Sequence, residues 1–242
     1  MDLQHGRLPY LSVVIPVFNE EENVGPLNAE LMEVLQGLSK TFEVIYIDDG
    51  STDKSYALLK ALQKSFTSIR IIKFRKNCGQ TAAFDAGIRA ALGEVIVTMD
   101  ADLQNDPHDI PKLLAMIGDA DAVCGWRQKR NDKAIRRISS IIANGVRNRL
   151  SGETIKDVGC SLKAFRSVYA KKMKLFTGMH RFLPTLIKME GGTVAEIPVN
   201  HRPRRFGTPK YNIRNRVVRS FVDLLAVCWM KKRKLTYEIE EQ

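Results

Sequence analysis

The sequence predicts an α/β fold: a Rossmann-like, mostly parallel sheet with helices on both faces, followed by a basic amphipathic helix. Three observations predict it. Short β-branched runs alternate with segments of helical period, the pattern of a parallel sheet built from βα units. The run Val95 to Met99 is apolar without polar alternation, as in a strand buried on both faces. A length of 242 residues with 44% hydrophobic content is ample for a core, in one large domain or two small ones.

In chain order, Leu11 to Phe18 is expected to be a strand, stopped by Asn19-Glu20-Glu21-Glu22-Asn23. Pro26 then opens a helix carrying Leu27, Leu31, Val34, Leu35 and Leu38. Phe42 to Ile47 is a second strand, and Asp48 to Asp53 a turn with capping residues ahead of a helix holding Tyr56, Leu58, Leu59 and Leu62. Ile69 to Phe74 forms a third strand, and a helix from about Thr81 to Ala91 follows Asn77-Cys78-Gly79-Gln80. Gly93 restarts the chain for the fourth strand. Pro107 and Pro111 frame a helix over Ile110 to Ile117, and Ala120 to Gly125 is a short strand. Ile135, Ile138, Ile141, Ile142 and Val146 make a helical stripe, and Thr193 to Val199 is a late strand. The expected layout is a tail over 1–10, the main domain over 11–211, and a C-terminal helix and tail over 212–242.

Lys and Arg outnumber Asp and Glu by 38 to 27, a net charge of +11, which points to an anionic partner: nucleotide, phospholipid surface or nucleic acid. Four separated cysteines form no C-x-x-C pair, so neither zinc nor a disulfide framework is suggested and a reducing cytoplasm fits. Met1 to Tyr10 lacks the apolar stretch of a signal peptide. No run approaches the roughly 18 apolar residues of a membrane span. A soluble or peripheral protein is expected.

Chemistry concentrates where the fourth strand ends, at Asp100-Ala101-Asp102-Leu103-Gln104. Two carboxylates at the carboxyl edge of a parallel sheet repel unless a cation or proton lies between them. Asp100, Asp102 and Gln104 offer hard oxygen ligands suited to Mg²⁺ or Mn²⁺ on a substrate diphosphate. The plainer reading makes the two acids helix caps. Three other strand-end loops carry small, acidic or amide residues: Pro16 to Glu20, Asp48 to Asp53, and Asn77 to Gln80. There is no G-x-G-x-x-G or G-x-x-x-x-G-K-[ST] phosphate cradle. Acids that accept from base N–H and ribose hydroxyls, beside a cation for the diphosphate, suit a nucleotide-sugar.

The segments V-V-I-P-V-F-N-E-E-E-N, Y-I-D-D-G-S-T-D, N-C-G-Q-T-A-A and T-M-D-A-D-L-Q-N-D-P together resemble the inverting GT-A glycosyltransferases of family two. Within these they are most similar to the dolichyl- or polyprenyl-phosphate hexose synthases, over about residues 11–211. The resemblance implies that Asp49 contacts base or ribose with Pro16, Asn19 and Glu20. Gly79, Gln80, Ala101, Asp100 and Asp102 complete the donor-binding set, with Asp100, Asp102 and Gln104 as metal ligands. The stretch Asp157 to Arg166 resembles the acceptor-side signature. Since a phosphate monoester is already anionic and can attack unaided, Asp157 is assigned to positioning rather than to base catalysis; a turn cap is its plainer role.

An acceptor phosphate approaching an anionic donor needs cations, and the arginine fork matches phosphate. Candidates are Arg127, Arg136, Arg137 and the cluster Arg202 to Tyr211. The cluster resembles the family's mobile Arg-x-x-Gly-x-Ser-Lys loop, with Arg205 and Lys210 in register, Gly207 as hinge, and Pro209 where Ser is usual. Asp102, Asp157, Arg137, Arg205 and Lys210 are therefore the expected catalytic set. Arg214 to Lys234 places Val217, Val218, Phe221, Leu224, Leu225 and Cys228 at helical spacing between basic flanks. That suits either a helix in a membrane interface or one docked on the core with a solvated basic end.

The resemblance implies transfer of one hexose, with inversion, from a nucleotide-sugar to a polyprenyl or dolichyl phosphate at the cytoplasmic face of a membrane. GDP-mannose is the first donor choice and UDP-glucose the second, on family grounds. The competing readings are a transferase with a soluble or protein acceptor and a non-catalytic nucleic-acid-binding module. The latter lacks an aromatic-rich basic strand or recognition-helix pattern.

Overall fold

The computed structural model describes residues 8–128, 145, 155–206, 213–235 and 240. The expected helical stripe from Ile135 to Val146, and Arg136, Arg137, Gly207, Pro209 and Lys210, lie outside the described residues. The first strands and helices follow the sequence pattern closely: β1 (Leu11–Val17), α1 (Glu21–Gln36), β2 (Phe42–Asp48), α2 (Ser55–Ser65), β3 (Ile69–Lys73), α3 (Gln80–Ala90) and β4 (Val95–Thr98). After a 3-10 turn (Pro107–Asp109) come α4 (Ile110–Ala115), β5 (Ala122–Arg127), β6 (Lys163–Arg166) and α5 (Ser167–Ala170). A second 3-10 turn (Met179–Phe182) leads into α6 (Leu183–Met189), β7 (Val194–Val199) and α7 (Ile213–Lys232).

Helix α1 begins five residues before Pro26, correcting the expectation that this proline opens it. Glu21 and Glu22 in the first turn complement the helix dipole. Glu22, whose carbonyl Pro26 leaves without a helical donor, is exposed to water. Two further corrections matter for the site. β5 runs on to Arg127, two residues past the expected end, and Lys163–Arg166 is a strand the sequence pattern did not mark.

The described strands form one sheet in the order β3-β2-β1-β4-β6-β5-β7. β1 pairs parallel with β2 and β4, β2 with β3, and β5 with β7, while β6 runs antiparallel to both β4 and β5. The sheet is thus mostly parallel. Its reversed strand delivers Lys163 opposite Thr98 and Cys124, so the start of β6 meets the ends of β4 and β5 at one edge.

Both faces are packed, as the unalternating strands require. Val13, Ile15 and Val17 point into a core with Leu27, Leu31 and Leu35 of α1 and Tyr46 of β2. Val14, Ile45, Ile47 and Ile96 pack on the other side against Phe84 and Ile88 of α3, Leu183 and Ile187 of α6, and Leu224 and Val227 of α7. Close approach of α3 to the sheet depends on Gly87: a Cβ there would lie 2.3 Å from Val14 Cγ1 and 2.7 Å from Ile47 Cδ1.

Helix α7 therefore docks on the core, one of the two readings the sequence left open. Its opposite side keeps Phe221, Val222, Leu225 and Trp229 about half exposed or more, from 48% at Leu225 to 64% at Trp229. Among the described residues no helix is long and apolar enough to cross a membrane.

Candidate active site

The chain leaves β4 at Thr98 and turns sharply. Leu103 is a non-glycine residue at φ +61°, a left-handed conformation that the surrounding bonds must hold in place. Those bonds are specific. Asn105 Oδ1 accepts from the Asp100 N–H at 3.1 Å and from Ser161 Oγ at 2.8 Å, and Asp102 Oδ1 accepts from the Gln104 N–H at 3.2 Å. Gln80 Nε2, at the start of α3, donates to Asp100 Oδ1 at 2.7 Å. Asp102 Oδ2 accepts from Arg204 Nη2 at 2.6 Å.

Burial, and next the charge of Asp102, push the Asp100 carboxyl up to about 6, against the pull of Ser161, Lys163 and Arg127. Burial raises Asp102 as well, opposed by Arg204 and the Gln104 N–H. Two acids that resist ionising side by side form a site that a divalent cation relieves. Among the described residues no three His, Cys, Asp or Glu side chains gather into a fuller metal cluster. Two carboxylates with the Gln104 amide beside them fit Mg²⁺ or Mn²⁺, ions that complete their shells with water and substrate phosphate.

The donor-side loops interlock. Asp49, almost wholly buried, accepts from Cys78 N at 2.6 Å through Oδ1, and from Gly79 N and Asn77 Nδ2, both at 2.9 Å, through Oδ2. Burial raises its carboxyl, while the Cys78 and Gly79 N–H groups pull it down. Asp49 thus shapes the β3–α3 loop as well as facing the cavity. Gly50, at φ +70°, passes so close to Lys76 that a Cβ would lie 2.4 Å from its carbonyl carbon. Asn19, at φ +53°, accepts from Thr52 N at 2.8 Å and donates its own N–H to Ser51 Oγ at 3.0 Å, tying the β1 loop to the β2 loop. Pro16, Glu20, Asp49, Gln80, Asp100, Ala101, Asp102 and Gln104 line one cavity of about 340 Å³; Asn19 and Gly79 are not among its lining residues.

Basic side chains line the same cavity. Arg127, at the end of β5, lies in a two-point ion pair with buried Asp157: Nε to Oδ2 at 2.7 Å and Nη2 to Oδ1 at 2.9 Å. Asp157 Oδ1 also accepts from Gly159 N at 3.1 Å. Asp157 is not among the residues lining the cavity, whereas Arg127, which it binds, is. Lys163, fully buried, donates to the carbonyls of Cys160 and Val158. His180 and Arg181 complete this basic lining.

The arm after β7 closes the rim. Arg202 bridges Glu30 and Asp106 at 2.5 and 2.8 Å, and its N–H donates to the Gln104 carbonyl at 2.9 Å. Burial pushes Asp106 up, but the His108 N–H and ring and Arg202 hold it below the usual carboxylate range. In this arm Arg204 reaches the acids, while Arg205 is exposed and is not among the residues lining the cavity. His180 and Arg181 were not marked by the sequence, and Lys163 and Arg204 were included only within the stretches Asp157 to Arg166 and Arg202 to Tyr211. For Arg204 a signal existed, since Arg202 and Arg204 fall on one side of an extended arm.

Residues 12–173 match the model of the family described as Glycosyl transferase family 2. The chain is 39% identical over 230 residues to a dodecaprenyl-phosphate galacturonate synthase of Rhizobium johnstonii, covering 93% of this chain and 68% of the relative. It is 38% identical over 217 residues to an undecaprenyl-phosphate 4-deoxy-4-formamido-L-arabinose transferase of Salmonella choleraesuis, covering 89% and 66%. It thus spans about two thirds of the length of these relatives. Among solved structures, glucosyl-3-phosphoglycerate synthase of Mycobacterium tuberculosis in complex with Mn²⁺, UDP and phosphoglyceric acid superposes with a TM-score of 0.70 at 19% identity, covering 91% of this chain and 78% of that one. A mannosyltransferase of Pyrobaculum calidifontis in complex with GDP-Man and Mn²⁺ gives 0.64 at 20%, covering 91% and 64%. These likenesses show a GT-A-like fold.

Proposed function

Because the chain belongs to glycosyl transferase family 2, we propose that it transfers a sugar from a nucleotide-sugar to a polyprenyl phosphate, inverting the anomeric centre. The observation that carries this is one cavity lined by acidic and basic side chains together. Glu20, Asp49, Asp100 and Asp102 line it with Arg127, Lys163, His180 and Arg181, and Lys163 and Arg127 lie near enough to Asp100 to pull its carboxyl down. The names of both relatives, which specify dodecaprenyl or undecaprenyl phosphate, support the acceptor class.

Asp100, Asp102 and Gln104 would hold Mg²⁺ or Mn²⁺ on the donor diphosphate. When bound, the ion supplies charge stabilisation at the leaving diphosphate. Gln80 keeps Asp100 turned toward that position, and Arg204 neutralises Asp102. Pro16, Glu20 and Asp49 form the nucleoside end. Arg127, fixed by Asp157, draws the acceptor phosphate in; that phosphate is already ionised near neutral pH and needs no base.

GDP-mannose and UDP-glucose remain donor choices by family resemblance. Galacturonate and 4-deoxy-4-formamido-L-arabinose in the relatives' names put acidic and modified sugars ahead of them. A peripheral place at the cytoplasmic face of a membrane belongs to the same proposal. The exposed stripe of Phe221, Val222, Leu225 and Trp229, with Lys231, Lys232, Arg233 and Lys234 at its end, suits an anionic lipid surface.

The test is incubation with Mn²⁺, undecaprenyl phosphate and a panel of GDP- and UDP-sugars that includes UDP-galacturonate. A lipid-linked sugar from at least one donor is expected. None from any donor, with sugar passed instead to a soluble acceptor, would overturn the acceptor assignment.

A further inference from the structure

The basic lining contains two groups that no motif marks, His180 and Arg181, side by side on the 3-10 turn Met179–Phe182. Both line the cavity. The turn is fixed from two directions. Thr81 Oγ1 accepts from the Gly178 N–H at 3.0 Å and lies 2.7 Å from His180 Nδ1. The contact between Thr81 Oγ1 and His180 Nδ1 holds the imidazole ring in one orientation. From the other direction, Arg181 Nη1 donates to Ser220 Oγ of α7 at 2.9 Å.

Thr81 follows Gln80, whose amide holds Asp100. The first turn of α3 therefore sets the spacing between the acid edge and the His180–Arg181 pair. We propose that His180 and Arg181 form an anion-binding subsite facing the acid edge, for a phosphate monoester or a carboxylate carried by a substrate. The source of the anion, though not the subsite, rests on the function proposed above. An inverting displacement brings its nucleophile from the side opposite the leaving diphosphate, and the acids repel a second anion from their own edge. The phosphate of a lipid-borne acceptor meets both conditions, and Arg181 joins this basic lining to α7, whose far side carries the exposed apolar stripe. The carboxylate of an acidic donor sugar is the other source of the same chemistry.

The test is calorimetric titration of geranyl phosphate into the full chain without donor or metal, beside titrations of UDP-galacturonate and UDP-galactose with Mn²⁺. Loss of a charge-assisted hydrogen bond should weaken the anion by about tenfold to about a hundredfold. If the anion is the acceptor phosphate, Arg181→Met and His180→Asn each weaken geranyl phosphate by that factor. Thr81→Val, which removes the hydroxyl that holds the His180 ring, weakens it less, and Thr81→Ser restores it. If the anion is the sugar carboxylate, geranyl phosphate binding is unchanged and the variants lose the preference for UDP-galacturonate over UDP-galactose. Unchanged binding of both ligand types in variants that melt as wild type does would overturn the subsite. If Arg181→Met does not fold, His180→Asn decides alone. Geranyl phosphate binding that depends on these residues, without lipid-linked product from any donor, would uphold the subsite and refute the proposed function.

Discussion

Asp157→Asn isolates the ion pair beneath the basic lining. Among the described residues four donors converge on this carboxylate: Arg127 Nε and Nη2, the Arg127 N–H and the Gly159 N–H. An amide offers one oxygen and turns an NH₂ toward donors already there, so at least two of them lose their acceptor. Each loss costs about 1–3 kcal/mol, and removing one member of a buried ion pair costs about 3–5 kcal/mol in all. The Arg127 side chain retains 19% exposure, which places the expected loss near the lower limit, about 3 kcal/mol. For a chain of this size that lowers Tm by roughly 6–12 °C. Released from its carboxylate, Arg127 should also hold the acceptor less well, raising KM for polyprenyl phosphate more than KM for the donor. Thermal unfolding and steady-state kinetics measure both effects, and Asp157→Asn/Arg127→Met should recover part of the stability by removing the stranded charge. An Asp157→Asn protein with unchanged Tm and unchanged acceptor KM would refute the reasoning.

The raised carboxyl of Asp100 gives a pH prediction. Its folded value of about 6 lies above the ordinary 3.8, so its contribution to stability is fully present below that ordinary value and is lost as pH rises through about 6. Asp100→Asn should therefore be more stable than wild type at pH 7.5, by roughly 3 kcal/mol, and Mn²⁺ affinity of the wild type should fall about tenfold per unit below pH 6. Titration and melting curves that are flat across this range would contradict it. Gly87→Ala should destabilise by about 1–3 kcal/mol, because the new methyl meets Val14 and Ile47 at sub-contact distance; a melting curve like that of wild type would show that α3 moves away without cost. Replacing Phe221, Leu225 and Trp229 together by Ser should abolish sedimentation with anionic vesicles while shifting stability by less than about 1 kcal/mol, since these side chains face water. Retained vesicle binding would remove the membrane role of α7.

Much of this arrangement was legible in the sequence because its central strands are buried on both faces. The runs Leu11–Val17, Phe42–Asp48 and Val95–Thr98 carry a continuous apolar signal, and the loops they deliver carry the acids. The less legible parts depend on tertiary context. β6 has two apolar residues between Lys163 and Arg166, and becomes a strand because β4 and β5 leave a slot that its backbone fills. The choice of Arg204 over Arg205 follows from the period of an extended arm pinned by Arg202, a register that composition does not reveal. His180 and Arg181 acquire their place only when Thr81, 99 residues away from His180 in sequence, meets their turn. Asp49 was expected in a turn and, by the resemblance, on the base or ribose; that the neighbouring loop takes both of its oxygens depends on the meeting of two strand ends.

The claim on which the account rests is that Asp100 and Asp102 together hold the cation of the donor diphosphate. It is tested most directly by titrating Mn²⁺, followed by its paramagnetic resonance signal, into wild type and Asp102→Asn in the presence of UDP. The account predicts a Mn²⁺–UDP complex in wild type and affinity at least about tenfold weaker in the variant. Equal binding by both proteins would contradict it.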